Sequence, residues 1–175
     1  LLALPRSNAQ VTKAFVFSCF TGLRLSDART LTWRKVYKTP DGKTLYIHVF
    51  MQKTQKPNNI PLSQEALNCL QAKDDLDEPI FTLPASDATI NYHVKKLVKA
   101  AGIEKKVSFH CSRHTFATMM LTLGVDIYTT SKLLGHANVT TTTIYAKIVD
   151  KKKVDAMNLV NDLFTKDDNT VNYED

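Results

Sequence analysis

Cysteine is scarce in this 175-residue chain: Cys19, Cys69 and Cys111 stand alone, odd in number, with no C-x-x-C pair among them. That pattern excludes a disulfide framework and points to a reduced, intracellular compartment. Long apolar runs are absent too, and no stretch approaches the length needed to cross a bilayer, so no membrane partner is expected. There is no glycine-rich phosphate loop and no acidic cluster patterned as a metal site, which removes the usual seats for a nucleotide or a divalent metal. No internal repeat and no dividing linker appear. An initiating methionine and a signal peptide are also missing, and the chain opens on "LLALPRSNAQ", so it reads as a piece excised from a longer protein.

What is present is ordinary for a folded domain. Hydrophobic residues make up 43% and charged residues 23%, enough to build one core in a chain of this length. The formal net charge is +6, which permits a polyanionic partner. Nucleic acid leads the candidates, because neutralising phosphates releases counterions; a merely soluble basic protein is the alternative.

Periodicity and punctuation place the elements. Ser7 or Asn8 caps a first helix through "AQVTKAFVFSCFTG", which closes at Gly22. "LSDARTLTW" reads as a second, short helix capped by Ser26. "PDG" is a turn between "VYK" and "TLYIHVFM", and a further turn at "KTQKPNN" leads into a short strand at "IPL", giving three antiparallel strands. Helices follow: "SQEALNCLQA" from Ser63, "SDATINYHVKKLVKAAG" with a stripe at Ile90, Val94, Leu97, Val98 and Ala101, and "FHCSRHTFATMMLTLG" ending at Gly124. "DIYTTSKLLG" is capped by Asp126, and "NVTTTTIYA" by Asn138. "KKKVDAMNLVNDLF" is amphipathic, with Val154, Met157, Leu159, Val160 and Leu163 as candidate buried positions. Residues 166–175 form an acidic tail expected to be mobile. The fold class is α+β, mainly α, with a small three-stranded sheet.

Several polar residues have chemistry to offer, although each has an ordinary explanation alone. Arg24, in "TGLRLSD", can be a surface arginine paired with Asp27. Lys53 and Lys56 sit at a hairpin tip, where exposed lysines protect edges. His110, Arg113 and His114 share one helix face in "HCSRHTFAT", because offsets of three and four point the same way. Two histidines at i and i+4 can ligate zinc, but Arg113 between them repels a cation and no glutamate follows His110. A cationic face that grips an anion is the other reading, and arginine's planar fork suits phosphate. His136 follows "KLLG", and Tyr145 closes a run of four threonines nine positions later.

Taken in order, these segments resemble the catalytic domain of the tyrosine recombinases, the phage-integrase family, from about Val11 to about Leu163. "TGLRLSDARTLTW" looks like the first box, with Arg24 the first catalytic arginine. "QKTQKPNNIPL" looks like the hairpin segment, with Lys53 in the catalytic place and Lys56 as its neighbouring rival. "HCSRHTFAT" supplies the H-x-x-R pair, His110 and Arg113. "LLGHANVTTTTIYAKI" looks like the closing box, with His136 and the nucleophile Tyr145. Asp27 stands where the family often has glutamate, and Cys111 and Ser112 fill the two positions before Arg113. The resemblance implies a catalytic domain over 1–165, with the family's upstream DNA-clamping domain absent from this chain.

The resemblance also implies a reaction: transesterification at a DNA phosphodiester through a 3′-phosphotyrosyl bond, with no metal and no cofactor. Without a metal, Arg24, Arg113 and His136 are expected to meet the charge on the non-bridging oxygens. Tyrosine is ionised to only about one part in a thousand at pH 7, so it needs a base or a positive field; His110 is the expected base and Lys53 the expected acid for the leaving oxygen. Lys56, His114, Thr140 and Thr141 are expected DNA contacts. Four β-branched residues weaken a helix, so the threonine segment is expected to be loosely held before DNA binds. Double-stranded DNA, self-assembly as a tetramer and a host DNA-bending factor are the expected partners, in a bacterial cytoplasm and on its nucleoid. A prophage or conjugative-element integrase leads. A type IB topoisomerase-like enzyme and an idle DNA-binding protein of the same fold are the alternatives.

Overall fold

The computed structural model describes residues 8–71, 75–145 and 156–161. Its centre is α1 (Ala9–Thr21), in which Val11, Ala14, Phe15, Val16 and Phe17 are all buried. A helix apolar on most of its circumference belongs inside a core, and this one touches four others. Asn8 starts it by accepting from the backbone N–H groups of Gln10 and Val11. Each fully buried side chain the size of Phe17 contributes roughly 1.5–3 kcal/mol relative to exposure.

The chain then forms α2 (Leu25–Arg29) and a 3₁₀ turn over Trp33–Lys35. The second helix is shorter than its pattern implied, and its cap residue is Arg24 rather than Ser26. Three antiparallel strands follow in the order β1 (Val36–Lys38), β2 (Leu45–Met51), β3 (Lys56–Pro61). Along β2, Ile47, Val49 and Met51 are buried while His48 and Phe50 face out, the period of two that the sequence shows. The third strand begins at Lys56, inside the segment read as a turn. Pro57 pairs with Phe50 and is tolerated because β3 is an edge strand.

Four helices complete the order. They are α3 (Gln64–Leu67), α4 (Asp87–Ala100), α5 (His110–Thr122) and α6 (Ile127–Leu133), followed by a 3₁₀ segment over Val139–Tyr145. Ile90, Val94, Leu97 and Val98 of α4 bury the expected stripe. The threonine run is 3₁₀ rather than α, in keeping with its restricted rotamers.

The main core holds α1, the sheet and α4. A second, smaller cluster joins Phe116, Ala117 and Leu134, and the ring of Tyr145 packs on it. One expectation is corrected. Met157, Leu159 and Val160 are exposed, at 60%, 65% and 41%, so this stripe does not fold back into the described core. Val154, Leu163, Ser7 and the acidic tail lie outside the described residues.

Candidate active site

Helix α1 ends where Gly22 takes a positive φ of 71°. A Cβ there would meet Phe116 Cδ1 at 2.7 Å, so glycine alone lets the end of α1 press against α5. That approach brings the Gly22 carbonyl within 2.7 Å of Arg113 Nη1, while Nη2 donates to the Leu134 carbonyl at 2.6 Å. Arg113 is only 4% exposed and ties α1, α5 and the end of α6 together. Its remaining N–H groups are not used by these two bonds. Burial, and then the nearby Arg24, push its pKa down to about 9, so it stays a cation at neutral pH.

Arg24 follows the glycine turn and caps α2 with an extended backbone. Its Nη1 is buried with no hydrogen-bond partner among the described residues. Burial lowers its pKa, and Asp27 opposes that shift. Asp27, 3% exposed, accepts at Oδ1 from the backbone N–H of Gln52 at 3.0 Å. This bond fixes the base of the β2–β3 hairpin, and Asn58 Nδ2 fixes its other side by donating to Leu133 O at 2.9 Å. Between these braces the tip turns through Gln55, at φ 51°, and carries Lys53.

Helix α6 stops at Gly135, which delivers His136. Its Nδ1 lies 2.8 Å from the hydroxyl of buried Thr142, so Nε2 is the ring nitrogen turned away from that bond. Burial first, then Arg113, Arg24 and Lys53, push the His136 pKa down to about 4. Tyr145 ends the 3₁₀ segment, with its Oη 2.5 Å from His114 Nδ1. Burial raises the phenol's pKa and Arg113 pulls it back. The rings of His110 and His114 meet edge to face with centroids 4.8 Å apart. Burial, and then His114, Arg113, Arg24 and Lys53, lower the His110 pKa.

These side chains line one cleft of about 350 Å³: Arg24, Lys53, His110, Arg113, His114, His136, Thr141 and Tyr145. All six expected catalytic residues are therefore brought together. Lys56 instead lines an adjoining hollow of about 170 Å³ with Thr54 and Gly135, which separates it from Lys53. Thr140 is exposed and does not line the cleft. A larger cleft of about 540 Å³ between the end of α4 and the loop after it contains none of these groups. The phenol's hydrogen bond runs to His114, whereas the sequence pointed to His110 as its base. The four-residue spacing of the two histidines was visible; which one met the tyrosine depended on where the 3₁₀ segment lay. The Thr142 hydroxyl gave no separate sequence signal, and Asp27 was visible in the first box without its bond to Gln52.

Chemically, the cleft presents two guanidiniums and an ammonium around a phenol with an imidazole on its oxygen. Among the described residues, no three His, Cys, Asp or Glu side chains gather as metal ligands would, and no helix is long and apolar enough to cross a membrane.

A tyrosine recombinase of Thermosipho africanus is 33% identical over 144 residues, 79% of this chain and 50% of that protein. The tyrosine recombinase XerC of Caldanaerobacter subterraneus subsp. tengcongensis is 51% identical over 72 residues, 40% of this chain and 20% of that protein. The catalytic domain of bacteriophage HP1 integrase superposes with a TM-score of 0.60 at 26% identity, over 81% of this chain and 76% of that one. The XerH site-specific recombinase, in its post-cleavage complex with a palindromic difH substrate, shares the fold with a TM-score of 0.68 at 19% identity, over 91% of this chain and 48% of that one. The chain spans about half the length of the curated relatives it matches. The phage integrase family model matches residues 3–152, and the chain belongs to that family.

Proposed function

We propose that this chain is the catalytic part of a site-specific DNA recombinase that cuts and rejoins strands to integrate or excise a mobile element. One observation carries the reading: Tyr145 shares a single cleft with Arg24, Arg113, His136 and Lys53. A tyrosine oxygen ringed by fixed cations suits in-line attack on a phosphodiester. Arg24 Nη1, buried without a partner among the described residues, is the donor most in need of an oxyanion. Arg113 is held rigid by two carbonyls and adds a second guanidinium; His136 Nε2 and His110 supply further donors. Removing one such donor from a preorganised site costs about 2.7–4 kcal/mol of barrier.

The step balances without outside reagents. The Tyr145 Oη–P bond forms, the P–O5′ bond breaks, and the phenol proton passes to an imidazole. Lys53 gives its proton to the leaving 5′-oxygen. Rejoining reverses each transfer. Lys56, Thr140 and Thr141, around the cleft and the hollow beside it, contact the flanking backbone of double-stranded DNA.

The exposed Met157, Leu159 and Val160 support self-assembly, since an unpartnered apolar stripe is costly in water. A tetramer on two duplexes, aided by a host DNA-bending factor on a bacterial nucleoid, is the assembly proposed. The test uses a pool of nicked duplexes with a randomised central segment and sulfur at the 5′-bridging position. Wild type is expected to yield a covalent protein–DNA band, and Tyr145→Phe to lose the band while still binding. A wild-type chain that binds and gives no band would sink the proposal and leave an idle DNA-binding domain. Joint products from two duplexes separate recombination from simple strand relaxation.

A further inference from the structure

We propose that His114, rather than His110, takes the phenol proton from Tyr145 as the bond to phosphorus forms. This rests on the strand-cleavage reading above and adds a catalytic residue to it. Proton transfer needs a direct hydrogen bond, and Tyr145 Oη lies 2.5 Å from His114 Nδ1. The ring of His114 meets the tyrosine ring at 63°, centroids 5.8 Å apart, so the contact is made through the ring's edge, where the nitrogen lone pair lies. His110 is one turn earlier, exposed, and packs edge to face on His114. His114 itself stands on a well-packed part of α5, next to buried Arg113, Phe116 and Ala117. The Tyr145 ring packs on that same cluster, so base and nucleophile share one scaffold.

The hydrogen bond fixes the tautomer. An un-ionised phenol donates through Oη–H, so Nδ1 accepts and Nε2 carries the ring proton. Transfer leaves an imidazolium at His114 as P–O5′ breaks and Lys53 protonates O5′; on rejoining, His114 returns its proton to the phenol. Arg24, Lys53, His110, Arg113 and His136 share the cleft with His114, and Asp27 lies just behind Arg24. A bound phosphate brings the negative charge that these cations face, so the cleft is complete when DNA is in place.

The test measures single-turnover adduct formation against pH, with a 5′-bridging phosphorothiolate duplex recovered from the randomised pool, so that protonation of the leaving group does not limit the rate. Wild type is expected to rise with pH to a plateau. His114→Asn places an acceptor near the Nδ1 position but cannot take a proton. It is expected to bind DNA within about threefold of wild type, to cleave at least about a hundredfold slower, and to keep rising with pH without that plateau. Rates within about threefold, or a slower rate with an unchanged pH profile, would overturn the proposal while leaving strand cleavage intact. If wild type forms no adduct on any duplex, the cleavage reading fails and this inference with it. A measurement on unaltered protein covers a variant that does not fold: nitrogen NMR of His114 is expected to show the Nε2–H tautomer. An Nδ1–H tautomer would overturn the proposal.

Discussion

Asp27 accepts the backbone N–H of Gln52 at 3.0 Å, and this bond joins the first-arginine turn to the hairpin that carries Lys53. Two segments far apart in sequence thus hold their cations in register through a buried carboxylate. A hydrogen bond to a charged acceptor contributes about 1.5–3 kcal/mol. Asp27→Ala is expected to slow cleavage at least about tenfold and to speed amide exchange at Gln52, whereas Asp27→Asn keeps an acceptor and preserves the hairpin. Hydrogen exchange on the three proteins, read beside their cleavage rates, checks this. Unchanged exchange in the alanine variant contradicts the brace.

Gly22 and Gly42 offer a matched pair. Both have positive φ, 71° and 70°, but a Cβ at Gly42 meets nothing within 4 Å while one at Gly22 meets Phe116 and Leu134. Gly42→Ala is expected to cost about 1 kcal/mol, the left-handed penalty alone. Gly22→Ala adds overpacking and is expected to cost roughly 2–4 kcal/mol, with weaker cleavage as the carbonyl bonded by Arg113 shifts. Denaturant unfolding of the two variants measures the difference.

The pH dependence has a definite sign. His136 falls to about 4 in the folded chain, from a usual value near 6.5. The unfolded chain therefore binds more protons between these values, and this contribution to stability is present above the unfolded value and lost as pH falls through the window. His110 shifts the same way. Thermal unfolding from pH 7 down to about 4.5 is expected to show a falling Tm, with a shallower fall in His136→Gln. A phosphate beside the ring offsets the cationic field, so DNA binding in that window should take up protons. Calorimetry in buffers of different ionisation heats reads the count, and zero uptake contradicts it.

Lys53 is assigned to the leaving oxygen. With an ordinary phosphodiester, Lys53→Ala is expected to lose about a hundredfold in cleavage rate. With sulfur in the 5′-bridging position the leaving group needs no proton, and the variant should regain most of the wild-type rate. A defect of equal size on both substrates would move the lysine's role to binding.

Much of this site was legible because it depends on local features. Gly22, the turn at "PDG" and the alternation in "TLYIHVFM" each announce a backbone shape, and the boxes around Arg24, Arg113 and Tyr145 keep their order. What was hidden depends on packing. Pro57 read as a turn, yet an edge strand accommodates it. Helix α3 was expected to run from Ser63 to Ala72 but ends at Leu67, where tight i to i+3 turns follow. Met157, Leu159 and Val160 have a buried pattern and an exposed placement, since periodicity records that a face is apolar and not what covers it. His114 looked like a DNA contact because its approach to Tyr145 spans 31 positions and rests on the 3₁₀ segment.

The central claim is that the phenol of Tyr145 becomes the covalent link to DNA. The direct measurement is mass spectrometry of the trapped complex after nuclease and protease digestion. The expected result is a nucleotide carried on the peptide containing Tyr145, joined through a 3′-phosphate. A nucleotide on any other residue, or a 5′-linkage, would contradict the account.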